Sequence, residues 1–312
     1  MSTVISLPRV SGEYRKNFKL SQLTWFKVGG ISQVFYKPKD EEDLSCFLKN
    51  LQSDIQITVL GAGSNLLIRD NGIDGVTIKL GRSFNEINFV KNNHYNIISV
   101  GAGTLNYDVA KFCLQHNLGG LEFLVGIPGT IGGGIAMNAG AYGQEFKDVV
   151  YSVDALDRSG NKHIFLSKDL NFEYRQCIVN GFLIFTKTNL ICYNDSKTSI
   201  SQKLQKIQTV RKLTQPINQK TAGSAFRNTN NYKAWQLIDK VGLRGHSIGG
   251  AQVSNLHCNF LINNGNATAS DIENLGELIR KKVFDHTGIT LEWEIKIVGK
   301  KSLYFSKTQF CC

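Results

Sequence analysis

The chain has 312 residues, 42% hydrophobic and 20% charged, which excludes a disordered or low-complexity polymer and fits a globular protein. A chain of this length buries about three quarters of its unfolded surface, so it needs neither disulfides nor a structural metal, and its length suggests two or three domains. The net charge of +11 fits either attraction to anions (nucleotides, phosphates or nucleic acid) or a surface that is basic by proteome habit.

Residues 40–51 read as a helix, with Leu44, Phe47 and Leu51 on one face. Residues 55–60, 76–80 and 97–100 are β-branched runs between glycine turns and read as strands. Residues 107–116 read as a second helix, stopped by Asn117-Leu118-Gly119-Gly120. Strand signals resume at 149–156, 161–165 and 181–193, and a helix over 201–213 ends before Pro216. The last third is α+β. Helices are predicted over 233–241 and 269–287, the second with Thr268 at its N-cap and Gly288 at its stop. Strands are predicted over 260–263 and 291–298. In the latter Leu291, Trp293, Ile295 and Ile297 alternate with Glu292, Glu294 and Lys296, giving one apolar and one charged face.

Several classes drop out. The densest basic cluster, Arg280-Lys281-Lys282, is too short for a nucleic-acid arm, and no nucleic-acid motif is present, so no nucleic-acid partner is expected. The seven cysteines are odd in number and contain no C-x-x-C, which argues against a disulfide framework or a metal site and for a reducing compartment. The terminal Cys311-Cys312 is not a prenylation box, and the N-terminal apolar run is too short and interrupted for a signal peptide. The least charged stretch, 119–143, carries Glu122 and many glycines, so no membrane insertion is expected and the location should be cytoplasmic.

Glycine punctuates three loops. Gly61-Ala62-Gly63-Ser64-Asn65 and Gly101-Ala102-Gly103-Thr104 each follow a strand, where backbone can approach a phosphate and hydroxyls can donate. Neither is the dinucleotide fingerprint of three glycines opening a helix, because Gly63 runs into the strand-like Asn65-Leu66-Leu67-Ile68. Tight turns alone explain most such pairs. The third stretch is more specific: Gly126-Ile127-Pro128-Gly129-Thr130-Ile131-Gly132-Gly133-Gly134, then Ala136-Met137-Asn138-Ala139-Gly140-Ala141-Tyr142-Gly143. Ordering so many glycines costs about 0.5–1 kcal/mol each relative to Ala in a regular element. A diphosphate bound by successive N–H groups would offset that cost. The alternative is a flexible surface loop, disfavoured by Ile127, Ile131, Ile135 and Met137, which look buried.

Further blocks accompany the loop after Val59 and the stretch 126–143: Thr24-Trp25-Phe26-Lys27-Val28-Gly29-Gly30, Tyr174-Arg175, Gly223-Ser224-Ala225-Phe226-Arg227-Asn228, Ile248-Gly249-Gly250-Ala251-Gln252-Val253-Ser254 with His257 and Asn259-Phe260, and Leu291-Glu292-Trp293-Glu294. Together these blocks resemble the UDP-N-acetylenolpyruvoylglucosamine reductase (MurB) family. They run in the family's order across almost the whole chain. The short interval between Arg175 and Ser224 resembles the type II branch, which lacks an inserted tyrosine-bearing loop. Thr229 stands where the family commonly has Pro, which is expected to loosen that turn, and Arg227 replaces the commoner Lys.

The resemblance implies an α+β fold: a two-part FAD-binding unit of the vanillyl-alcohol oxidase (PCMH) type plus a smaller α+β substrate-binding domain. Its boundaries are expected at 1–82 for the first FAD-binding part, 83–213 with 290–312 for the second, and 214–289 for the substrate domain. The implied activity is NADPH-dependent, FAD-mediated reduction of UDP-N-acetylglucosamine enolpyruvate to UDP-N-acetylmuramate in peptidoglycan precursor synthesis, by a monomer. FAD and NADPH are the implied cofactors.

The implied cofactor-binding residues are Gly61, Ala62, Gly63, Ser64, Asn65, Gly126, Pro128, Gly129, Thr130, Gly133, Asn138, Gly140 and Ala141. Arg175 would pair with the substrate carboxylate, as its planar fork allows. Ser224 would donate a proton and Glu294 would assist at the same end of the substrate. Lys212, Asn228 and His257 would contact the UDP-sugar, although His257 reads equally as a structural histidine. Without the resemblance, Arg175 is an arginine after an aromatic, Ser224 a turn serine, and Glu294 a solvent-side strand residue. The runner-up activity is another flavin-dependent oxidase or dehydrogenase of the same superfamily acting on an alcohol or sugar. A basic nucleic-acid-binding protein is the non-enzyme reading.

Overall fold

The computed structural model describes residues 5–91 and 96–301, so Cys311-Cys312 lies outside the described residues. The chain forms two compact units: residues up to 15, 34–64 and 75–218 in the first, and 16–33, 65–74 and those from 219 onward in the second.

The first unit is built on an antiparallel sheet in the order Lys162–Leu166, Val150–Asp157, Leu183–Asn194, Asn96–Gly101, Ile87–Lys91. Along Leu183–Asn194 every second residue is buried, from Ile184 through Leu190 to Cys192, as a period-two pleat requires. Thr186 and Thr188 are tolerated inside because their hydroxyls donate to the Asp154 and Ser152 carbonyls. Leu190 and Cys192 join Ile98 and Val100 in a core shared with three helices. These are α2 (Asn106–Gln115), α3 (Ile131–Ala136) and α4 (Lys197–Thr214), which contribute Val109, Ile135 and Leu204. A second cluster gathers Leu156 and Ile184 with Val76, Ile78 and the apolar face of α1 (Glu41–Asn50), Leu44 and Phe47. Burying each such side chain contributes about 1.5–3 kcal/mol. Ile57–Val59 runs parallel to Ile73–Ile78, with Ile57 opposite Val76.

Helix α4 starts four residues before its predicted start at 201, because the Ser196 hydroxyl accepts from Ser199 N–H as an N-cap. Its polar first turn hides that start from the hydrophobic period.

The second unit has an antiparallel meander, Ser247–Ile248, Ala251–Val253 and Leu261–Asn263, packed with α5 (Ala234–Lys240) and α6 (Ala269–Thr287). Thr268 and Asp271 form a capping box at the start of α6, and Gly288, at φ 70°, ends it, as predicted. The block 24–30 belongs to this unit: Phe26 is fully buried, Thr24 Oγ1 donates to Val28 O at 2.7 Å, and Asn263 Nδ2 donates to Phe26 O at 2.8 Å.

The predicted strand over 291–298 is regular only at Lys296–Val298, which pairs in parallel with Leu66–Ile68. Before it, the N–H groups of Glu294 and Ile295 both donate to Ala225 O, at 2.8 and 3.4 Å, which interrupts the ladder. The parallel pairing also places 290–301 in the second unit, whereas sequence reading grouped it with 83–213. Among the described residues no helix is long and apolar enough to cross a membrane.

Candidate cofactor-binding and catalytic residues

In the first unit three glycine loops converge. Ser64 Oγ donates to Pro128 O at 2.8 Å, joining the first loop to the third. Asn106 N–H donates to Gly129 O at 3.0 Å and Ile131 N–H to Thr104 O at 2.9 Å, joining the second to the third. A Cβ at Gly61 would stand 2.8 Å from Thr130 Oγ1, so glycine there lets the two loops close. Gly129, at φ 145°, occupies backbone space that favours glycine.

The stretch 126–143 holds a feature absent from the sequence reading, the short helix α3. Thr130 caps it, accepting from Gly133 N–H at 3.3 Å. Two of its glycines are explained by packing alone. A Cβ at Gly134 would lie 2.3 Å from the Phe146 ring, and one at Gly132 would lie 2.9 Å from Ala102 Cβ. Gly133 differs: it is exposed, and only Thr130 Oγ1 lies near its notional Cβ. Ile131 and Ile135 are fully buried, while Ile127 and Met137 are half-buried against the same core.

These residues fit a bound FAD on two counts. The exposed backbone of Gly133 is open to a close-approaching group. Two buried polar atoms at the same loops, Thr104 Oγ1 and Asn106 Oδ1, have no protein partner. Asn138 is different. It is fully buried, its Nδ2 donates to Glu145 Oε2 and Glu173 O, and its Oδ1 accepts from Lys147 N–H. Both of its amide protons are thereby engaged by protein, which leaves its oxygens to meet a cofactor.

Asn138, Gly140 and Arg175 form one cluster. Gly140–Ala141 pairs with Gln144–Glu145 in a tight hairpin. Arg175 sits in the two-residue turn between Phe172–Glu173 and Gln176–Cys177, at φ 59°. A positive φ is uncommon for arginine and marks a constrained position. Its guanidinium donates to Gly140 O at 3.2 Å, lies 3.6 Å from Glu145 Oε1, and stacks 4.8 Å from the Tyr174 ring centroid. A Cβ at Gly140 would crowd that guanidinium. Side chain and loop therefore position each other.

Lys212 is exposed in the last turn of α4, where a cation complements the helix dipole. Its neighbour Arg211, which sequence reading passed over, is half-buried. Burial lowers its pKa, and the nearby Tyr142 phenol acts in the opposite direction. Lys79 was also missed: it is half-buried with Nζ on Gly61 O at 2.5 Å. Neither stands in a motif, so only burial reveals them.

The second unit carries the remaining candidates. Ser224 follows Gly223, at φ 82°, and bridges Phe260. The next residues are held by Asn259: Ala225 N–H donates to its carbonyl at 2.7 Å, and its side-chain amide makes both hydrogen bonds to the Phe226 main chain, at 3.0 and 2.8 Å. Phe226 bridges Trp293, and Glu294 N–H donates to Ala225 O, so the Ser224 and Glu294 segments are neighbours. Asn65 Nδ2 donates to Glu294 O at 3.1 Å. Asn228 Oδ1 accepts from Ala234 N–H and caps α5. Thr229 tightens its turn instead of loosening it: its N–H donates to Tyr232 O, a bond Pro could not make, and its hydroxyl accepts from Tyr232 N–H. His257 Nδ1 accepts from Asn259 N–H at 3.2 Å, and its ring packs edge-on against Phe260. Burial lowers its pKa, so the neutral ring with its proton on Nε2 is favoured.

Residues 32–164 match the FAD binding domain family. The chain is thus an FAD-binding protein of α+β class. Residues 215–298 match the C-terminal domain of UDP-N-acetylenolpyruvoylglucosamine reductase. The chain is 98% identical over 303 residues to the UDP-N-acetylenolpyruvoylglucosamine reductase of Orientia tsutsugamushi strain Boryong, covering 97% of this chain and 100% of that one. It is 51% identical to the same-named protein of Rickettsia canadensis strain McKiel, over 95% of this chain and 99% of the other. The crystal structure of the reductase from Thermus caldophilus superposes with a TM-score of 0.80 at 31% identity, covering 93% of this chain and 99% of that chain. The chain belongs to the UDP-N-acetylenolpyruvoylglucosamine reductase family.

Proposed function

We propose that this flavin-dependent reductase reduces UDP-N-acetylglucosamine enolpyruvate to UDP-N-acetylmuramate with NADPH, in the cytoplasm, for peptidoglycan synthesis and hence for cell growth and division. The observation that carries the reading is the pair of matched blocks, an FAD-binding unit and a reductase C-terminal domain, on a chain 98% identical to a named reductase. FAD, when bound, would supply the hydride chemistry that links NADPH to the methylene carbon of the enolpyruvyl ether.

The chain's own residues do the rest. Gly61, Ala62, Gly63, Ser64, Asn65, Gly126, Pro128, Gly129, Thr130, Gly133, Gly140 and Ala141 hold the cofactor, chiefly through backbone. Hydride addition pushes electron density toward the substrate carboxylate, and the Arg175 guanidinium stabilises it there. Ser224 gives its proton to the neighbouring carbon. An enediolate-like carbanion is basic enough to take a hydroxyl proton. Glu294 assists at the same end. Lys212, Asn228 and His257 contact the UDP-sugar, His257 donating from Nε2. We also propose that the enzyme acts as a monomer, and that its domains follow the three-part division read from sequence except that 16–33, 65–74 and the closing strand group with the second unit.

The test is anaerobic. NADPH should bleach the bound flavin, and UDP-N-acetylglucosamine enolpyruvate should restore its visible band. A colourless preparation, or a bleached flavin that this substrate leaves reduced, would refute the assignment.

A further inference from the structure

Lys79 directly follows the strand Ile73–Ile78, and the chain on either side of it is pinned to the first glycine loop. Leu60 N–H donates to Ile78 O at 2.8 Å, and Lys79 N–H donates to Tyr36 O at 3.0 Å. The side chain is half-buried and reaches forward, so that Nζ donates to the Gly61 carbonyl at 2.5 Å. That carbonyl belongs to the loop that closes on Thr130, the N-cap of α3. Among the described residues no carboxylate pairs with this ammonium. Among the described residues the charge that acts on it is that of Lys37, which, after burial itself, further lowers its pKa. A half-buried cation facing a second cation is unfavourable unless an anion joins them.

We infer that Lys79 is the counter-charge for the diphosphate of the bound dinucleotide. The loop amides supply neutral hydrogen bonds, and Lys79 supplies the positive charge that they lack. Its ammonium has two further protons to donate beyond the one on Gly61 O. The inference rests on the FAD reading and adds to it a residue that no glycine motif contains.

The test compares wild-type, Lys79→Met and Lys79→Arg proteins stripped of FAD, titrated with FAD and with ADP. Met keeps the apolar stem and removes the charge; Arg restores the charge. Losing one charge-assisted contact should weaken both ligands by about tenfold to a hundredfold in Lys79→Met, and Lys79→Arg should regain most of it. The thermal midpoint of ligand-free Lys79→Met should not fall, since a buried charge has been removed. Binding of FAD by Lys79→Met within about twofold of wild type would overturn the inference. So would a joint loss of midpoint and affinity that Arg does not restore, which would make Lys79 a packing residue. A wild-type protein that binds no FAD would instead sink the FAD reading itself.

Discussion

Glu294 N–H donates to the Ala225 carbonyl at 2.8 Å, so a main-chain bond ties the residue after Ser224 to Glu294 itself. Two side chains separated by most of the second unit's sequence are thereby set on adjoining segments. The bond depends on no side-chain chemistry, so either residue can be replaced without dissolving the frame that holds the other.

Ser224→Ala should therefore fold normally and keep flavin reduction by NADPH near wild type. Reoxidation of the flavin by substrate should slow by about 10²–10⁴-fold, the usual contribution of a general acid. Stopped-flow traces of the two half-reactions separate these effects. Equal reoxidation rates in variant and wild type would remove Ser224 from the proton path.

Asn259 acts as a strand in miniature for Phe226. Asn259→Leu leaves the buried Phe226 N–H and C=O unpaired; each such group costs about 1–3 kcal/mol, so a loss of about 2–6 kcal/mol is expected in urea unfolding. Because this strand also carries Ser224, activity should fall together with stability.

Gly276 on α6 faces the Trp293 ring, and a Cβ there would lie 2.0 Å from it. Trp293 is further held by its Nε1 proton on Glu277 at 2.8 Å and by the Phe226 ring at 4.8 Å. Gly276→Ala should cost about 1–3 kcal/mol or more through overpacking, with a change in tryptophan emission. Unchanged stability and emission would mean that the ring is not lodged there.

His257 gives a pH signature. Burial depresses its pKa in the folded state, so the unfolded chain binds more protons as pH falls through about 6.5. Its effect on stability is thus complete above that pH and weakens below it. Unfolding free energies measured between about pH 5 and 7.5 should fall toward acid more steeply in wild type than in His257→Gln. Parallel slopes would show that the ring titrates alike in both states.

Much of this was legible before the coordinates. Helices with clear periods or caps were readable to within a residue or two: α1 from the spacing of Leu44, Phe47 and Leu51, and α6 because Thr268 and Gly288 mark its ends in local chemistry. The candidate site was legible where it lies in contiguous blocks, such as 223–228. What stayed hidden depends on distant partners. α3 is a helix rich in glycine, so propensity argues against it, and only the packing of Gly132 on Ala102 and Gly134 on Phe146 shows why glycine is required. The irregular segment before Lys296 was hidden because its alternation is that of a strand, whereas its bonding is set by a single carbonyl at Ala225. Asn138 reads as a cofactor contact, and the engagement of its two amide protons by Glu145 and Glu173 cannot be read from spacing.

The link from Ser64 Oγ to Pro128 O joins residues 64 positions apart. Nothing local can form it. Closing a loop that long must precede it, and the intervening sheet strands have to find their register first. The bond that joins the first glycine loop to the third is therefore non-local, and its loop closure carries an entropic cost that a local turn does not. A ligand that binds only the joined loops would stabilise the folded first unit in proportion to its concentration.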